Sequence, residues 1–495
     1  MKRYKMNHKE QAIYDVSRFN SRRQFIKNSL SGLGGMALLS LLGCGTEAIK
    51  EMTALGRANA LDPLASHFAP RAKRVIFLHM AGAPSQLELF DYKPTLAELD
   101  GKPCPPSLLE GKRFAFLKGV PNLLGPQASF KQYGQSGAWI SELLPHLSEW
   151  VDDMAFLKAM HTDEFNHAPA QFMMHTGSGR LGRPSMGSWV AYGLGSENEN
   201  LPAFVVLSSG GIEVSAGKSI WGSGFLPTVY QGVQCHSIGD PVPNLSNPGG
   251  VTADLRKKSI DIINEVNRME HEMVGDPEIL SRISQYELAF RMQTSVPETM
   301  NIEDEPDYIH EMYGTKPGKR SFANNCLLAR KLVEKGVRFV QLFDRNWDHH
   351  GVGKGNGVTD GLQRACKAID KPIAALLTDL KQRGLLDETL VVWGGEFGRT
   401  PMMETRAGAD FKGRDHHVDA FTMWMAGGGV KGGVSYGKTD EIGFMGIDER
   451  THVHDLQATI LHCLGMDHEK LVYHFQGREF RLTDVHGKVI NPILV

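Results

Sequence analysis

With 495 residues, 41% of them apolar, the chain can bury one large α/β core or two modest ones. A formal charge of −2 and a pI near 6.9 give no electrostatic case for nucleic acid or an anionic membrane surface. Six cysteines without a C-x-x-C pair make no disulfide framework.

Residues 1–44 read as an export signal. Ser21-Arg22-Arg23-Gln24-Phe25-Ile26-Lys27 resembles the twin-arginine consensus, and a weakly apolar run follows from Leu30 to Leu42. That run falls short of the roughly 20 residues of a membrane-spanning helix. The competing reading is a cytosolic amphipathic helix that carries two arginines. Leu41-Leu42-Gly43-Cys44 resembles a lipobox, which would put a lipid anchor on Cys44 as the chain's one link to a membrane. Ala58-Asn59-Ala60 reads instead as an ordinary A-x-A cleavage site. The expected location is the periplasm or cell surface, and residues 45–70 read as a spacer.

Residues 71–495 read as one domain. Arg74–Met80 is a buried strand running into the small-residue loop Ala81-Gly82-Ala83-Pro84-Ser85, with Glu88 and Asp91 just beyond. This is how a parallel α/β sheet presents a site at its carboxyl edge, or else a plain turn and helix start. Then come an expected helix over 140–150, a strand over 154–157, the segment around His167, and a strand over 204–207. From 251 to about 294 the pattern turns helical and charged, predicting an insertion on the sheet's flank. The last third alternates: helix, strand 337–343, helix, strand 389–393, strand Phe421–Ala426 and a final helix. Gly427-Gly428-Gly429 with Gly432-Gly433 predicts a glycine-rich hairpin. Cys326, Cys366 and Cys463 fall on apolar helical stripes, so they read as buried free thiols. The whole is an α/β fold, a largely parallel central sheet with helices on both faces.

Chemistry-bearing residues gather just after these strands. Asp348 and His350 follow one, Glu396 follows the next, and Asp415 and His416 come soon after, with His417, His452 and His454 as further candidates. A mixed imidazole and carboxylate set suits zinc, manganese or iron better than calcium. A two-ion site of this kind polarises a phosphoryl or sulfuryl oxygen and activates an attacking oxygen. The competing reading makes these residues helix caps and partners of Arg399 or Arg414. No G-x-S-x-G, Walker lysine loop or G-x-G-x-x-G between strand and helix is present.

Ile369-Asp370-Lys371-Pro372-Ile373 through Leu380, then Gly384 to Val392, resembles the alkaline phosphatase and sulfatase superfamily, as does Val453-His454-Asp455-Leu456-Gln457-Ala458 near the end. His167-Ala168-Pro169-Ala170-Gln171, with Thr176-Gly177, has the spacing of the sulfatase signature C-x-P-S-R ending in Thr-Gly. More narrowly, Met80-Ala81-Gly82-Ala83-Pro84-Ser85, Phe90-Asp91-Tyr92-Lys93-Pro94, Trp347-Asp348, Glu396-Phe397-Gly398-Arg399-Thr400-Pro401 and Gly413-Arg414-Asp415-His416 resemble the exported family called domain of unknown function 1501. The resemblance implies an alkaline phosphatase-like three-layer sandwich. It also exposes departures: Ala81 and Gly82 replace a sulfatase's paired aspartates, His167 replaces the formylglycine cysteine, and Glu396-Phe397 replaces an Asp-His pair.

Two functions follow. One is an exported metal-dependent hydrolase, not of the formylglycine type, acting on a phosphate or sulfate ester, of a small molecule or a polysaccharide. In it Asp348, His350, Glu396, Asp415, His416 and His454 would hold zinc or manganese, and His167 or Ser85 would be nucleophile or acid/base. The other is a non-catalytic surface protein that binds carbohydrate or a protein partner.

Overall fold

A computed structural model describes residues 60–209, 214–243, 245–404 and 411–495. The signal of residues 1–44, Cys44 included, and most of the 45–70 spacer lie outside the described residues. Among those described, no helix is long and apolar enough to cross a membrane.

Eleven strands and seven helices position the site. The strands are β1 (Arg74–Met80), β2 (Met154–His161), β3 (Phe204–Ser208), β4 (Val233–Gln234), β5 (Phe339–Asp344) and β6 (Thr389–Gly394). They continue with β7 (Gly398–Met403), β8 (Arg414–His417), β9 (Phe421–Ala426), β10 (Val434–Tyr436) and β11 (Thr451–His452). The helices are α1 (His167–Thr176), α2 (Met186–Leu194), α3 (Ala253–Val274), α4 (Pro277–Met300), α5 (Phe322–Glu334), α6 (Gly361–Gln382) and α7 (Val453–Cys463).

Nine of these strands form the central sheet, in the order β10-β2-β9-β6-β1-β5-β3-β4, with β11 also on β2. β1 sits in the middle, parallel to β5 on one side and to β6 on the other. The sheet is mostly parallel, as the alternation of strands and helices implies. The exception is β9, antiparallel to both β6 and β2. The expected glycine hairpin does not form: β9 and β10 lie on opposite sides of β2, so the glycine loop carries the chain across a strand.

Side chains alternate across the sheet, and β1 shows why both faces are covered. Ile76, Leu78 and Met80 join a core with α4, α5 and α6. Val75 and Phe77 join a second core with α1, α2 and α7. Cys326, Cys366 and Cys463 are free and buried on these helices.

Two other expectations change. Residues 140–150 do not form an α-helix: Ala138–Ser141 is a strand paired with Phe130–Tyr133, and a 3-10 turn follows at Leu147–Asp153. Pro145 lacks an amide and disfavours helical geometry at the residue before it, which weakens a helix over this short stretch. The charged stretch after 251 is two helices, α3 and α4, divided at Gly275 and Asp276. α3 exposes most of one face, but Leu288, Met292, Val296 and Met300 of α4 belong to the main core.

Candidate metal centre

The carboxyl ends of β1, β5 and β6 lie side by side, with Met80 opposite Asp344 and His79 opposite Gly394. The chain leaves β5 towards Asp348 and His350, and leaves β6 towards Glu396. Gly82 makes this crowding feasible. Its φ is +112°, and a Cβ there would lie 2.6 Å from the Asp348 amide nitrogen. Only glycine adopts that backbone readily and leaves that room. His416 arrives on the β7–β8 ribbon, where the register shifts between Arg414 and His416, a bulge that re-aims the strand. His167 stands at the start of α1.

Four residues converge: His167, Asp348, His350 and His416. His350 Nε2 lies 2.8 Å from Asp348 Oδ1, His167 Nε2 3.3 Å and His416 Nε2 3.4 Å from the same oxygen. His350 Nε2 and His416 Nε2 are 3.0 Å apart. Each imidazole is held from behind through Nδ1. His167 Nδ1 donates to Glu396 Oε1 at 2.8 Å, His416 Nδ1 to the Phe165 carbonyl at 2.7 Å, and His350 Nδ1 to Glu404. A carbonyl or ionised carboxylate only accepts, so these contacts put the proton on Nδ1. In a neutral imidazole they leave the Nε2 lone pair facing the others, as metal-bound histidines are arranged. Two facing lone pairs at 3.0 Å repel unless a cation lies between them. His167 Nε2 is buried and faces the Asp348 oxygen at 3.3 Å outside good hydrogen-bond geometry. The donor set therefore fits a divalent metal ion.

Two phenyl rings flank the imidazoles. Phe397 lies against His416 and His167, and Phe116 stands edge-on to His350 and His416. Asp348 is the open member, its side chain 41% exposed against 5% for His350. Arg399, almost fully buried, donates to Asp348 Oδ1 at 2.5 Å and to the carbonyls of Ala83 and Arg414. Burial alone would raise the Asp348 carboxyl, but Arg399 and the three imidazoles hold it far below the usual carboxylate range. Burial would lower His167, yet Asp348 and Glu396 carry it up to about 9. His416 is pushed down to about 4, chiefly by burial.

The remaining expected residues stand elsewhere. Glu396 backs the site, accepting from His167, from Gln171 Nε2 and from the Gly82 amide, each at about 3.0 Å or less, with His79 3.2 Å away. Burial would raise its carboxyl, but His167 and His79 hold it well below the usual range. Asp415 groups with His350 and Glu404, but its carboxylate accepts from the amides of Phe116, Leu117 and His416. Ser85 donates to Glu88, which is paired with Arg414 in full burial. His454 bonds the Gly177 carbonyl, His452 caps α7 and His417 bonds the Phe444 carbonyl. None of these three belongs to either metal-ligating group among the described residues. Glu404 and the Phe165 carbonyl are parts of the site that the motifs did not single out, whereas Arg399 stands in one of them and pairs with Asp348 as the competing reading expected. Glu404 sits outside every quoted motif, and a backbone carbonyl has no sequence signature.

No curated protein matches the sequence. Solved structures that match include the lipoteichoic acid synthase LtaP from Listeria monocytogenes, at 10% identity and TM-score 0.35, over 89% of this chain and 80% of that one. The PsFucS1 sulfatase from Pseudoalteromonas sp. matches at 11% identity and TM-score 0.36, over 86% and 71%. Alkaline phosphatase from the Antarctic bacterium TAB5 matches at 10% identity and TM-score 0.29, over 80% and 97%. The family model described as "Protein of unknown function (DUF1501)" matches residues 72–494. This chain belongs to that family.

Proposed function

We propose that the protein is a metal-dependent hydrolase of phosphate or sulfate esters, with His167, Asp348, His350 and His416 as the metal ligands. The observation that carries this reading is the convergence of three Nε2 atoms on one Asp348 oxygen, each ring fixed through Nδ1. Three imidazoles and one carboxylate favour zinc, then manganese, over calcium. When bound, such an ion supplies a Lewis acid for an ester oxygen and a water of lowered pKa.

The chain's own residues supply the rest. Glu396 and Glu404 hold the imidazoles in one tautomer. Arg399 fixes a positive charge beside Asp348, where it balances an incoming anion. Phe116 and Phe397 keep bulk water from the histidine faces. Ser85 is turned to Glu88 and His167 is a ligand in this reading, so neither is the nucleophile. Water attacks the phosphorus or sulfur, the ester oxygen leaves with a proton, and one water is consumed per alcohol and free anion formed. Glu396 is a positioning residue here, Asp415 fastens the loop of Phe116 and Leu117, and His454 lies outside the centre. Export in the folded state by the twin-arginine route is part of the proposal, supported by Ser21-Arg22-Arg23-Gln24-Phe25. So is a surface or periplasmic location, with Cys44 as a candidate lipid anchor.

Elemental analysis of the purified full-length protein tests the reading. Stoichiometric zinc or manganese is expected, and the double variant His350→Ala with His416→Ala should lose it while its circular dichroism is kept. Folded wild-type protein that holds no metal and binds glycan without turnover would overturn the hydrolase in favour of a surface binding protein.

A further inference from the structure

A cavity of about 1050 Å³ opens from Asp348 and runs along the N-terminal ends of α5 and α6. Its walls carry Lys316, Arg345, Arg364, Lys367 and Lys371. Arg364, Lys367 and Lys371 recur at three- and four-residue spacing on α6, so they share one helix face, exposed to solvent. Like charges at such spacing repel. Among the described residues Lys316, Lys367 and Lys371 form no ion pair with an acid, while Arg364 donates to the Gly355 carbonyl at 2.9 Å and feels the nearby Asp360 carboxylate. Lys371 stands at the far rim, where a second hollow holds Glu149 and Glu311. The N-terminus of α5, capped by Ser321, opens into the same space and adds the positive end of its dipole. Two acids line the cavity. Asp344 accepts from Ser209 Oγ at 2.6 Å and Trp347 Nε1 at 2.9 Å, and Asp348 belongs to the metal centre.

We propose that the ester is one group on a polyanionic carbohydrate chain. The group to be cleaved lies at Asp348, and further sulfate or phosphate groups of the same chain lie on Lys316, Arg364 and Lys367. This rests on the hydrolase reading above and names its substrate class. A neutral sugar ester would leave the cationic wall unused, whereas a chain with repeated negative charge relieves its self-repulsion. The aromatic rings of the wall, Tyr313 and Phe322, are buried, so no ring face is offered for stacked bases. Nor is the wall an apolar channel for acyl chains. A polar, repeatedly charged chain fits best.

Binding of a dextran sulfate oligosaccharide to full-length, EDTA-treated protein tests this, with unsulfated dextran of the same length alongside. The sulfated chain should bind, more weakly as salt rises, and the neutral one should not. Lys316→Glu with Lys367→Glu should weaken binding by about 10-fold or more. Lys257→Glu with Lys258→Glu, exposed on α3 away from the cavity, should leave it unchanged. Equal loss in both pairs, absence of binding, or tighter binding of single-stranded DNA or of anionic phospholipid vesicles would overturn the proposal. The two readings fail separately. Metal-loaded wild type that ignores dextran sulfate sinks only the substrate class. Protein that as purified, before any EDTA, holds no metal, and whose binding still depends on Lys316 and Lys367, sinks only the hydrolase.

Discussion

Removing a group that fixes an imidazole should be felt by the metal before it is felt by the fold. Glu396→Gln keeps the shape but offers His167 a weaker acceptor, so metal affinity should fall roughly 10- to 100-fold, measured by competition with a chromogenic chelator. Unchanged affinity would remove Glu396 from the centre. His167 also sets a proton balance. Its value rises from 6.5 to about 9 without metal, so near neutral pH it is charged and must lose its proton to bind an ion. Calorimetry of zinc binding in two buffers of different ionisation enthalpy should show about one proton released. The sign for stability follows from the same shift. A folded value above the unfolded one stabilises the metal-free protein fully below pH 6.5, and that contribution is lost as the pH rises through 9. Of the converging residues, Asp348, His350 and His416 stood out in the sequence as candidate ligands, and His167 as a candidate for catalysis rather than ligation. What separates those roles is where Nε2 points, which depends on partners hundreds of residues away.

The loops after β1 and β5 must nest to bring Asp348 inward. Gly82→Ala would place a Cβ 2.6 Å from the Asp348 amide at φ +112°, costing about 1–3 kcal/mol and displacing Asp348, a proposed ligand. Metal loss should exceed the drop in melting temperature. The pair of Arg414 on β8 with Glu88 is different in kind, since both side chains are fully buried. Arg414→Met leaves a carboxylate unpaired in the interior and should cost about 3–5 kcal/mol in denaturant unfolding. Strands and helices of the last third were legible because short, fully buried apolar runs and a period of 3.6 survive in single segments. The antiparallel course of β9 was not. Strand neighbours are chosen by which sheet edge is open when the chain returns, and no local pattern encodes that. The same limit hid the role of α4. Leu288→Ala should cost about 2–5 kcal/mol as a core position, while Ile262→Ala on α3, 62% exposed, should stay within ~0.5 kcal/mol.

Two cores on the faces of one sheet make the described chain from residue 72 onwards a body in which distant segments depend on each other. That β1 is central has a consequence in time. It is the first strand described, yet its two neighbours are β5 and β6, and the second of these ends only at Gly394. At translation speeds of ~5–20 residues per second, β1 emerges and then waits on the order of tens of seconds for the strand that completes its pairing. Through that interval a largely apolar segment with open edges is exposed on a nascent chain. The protein should therefore depend on a holding chaperone during synthesis and refold slowly from denaturant, as topologies rich in distant parallel pairings do. A circular permutant that begins after α4 would bring β1 into the chain after β6 and should shorten that exposure.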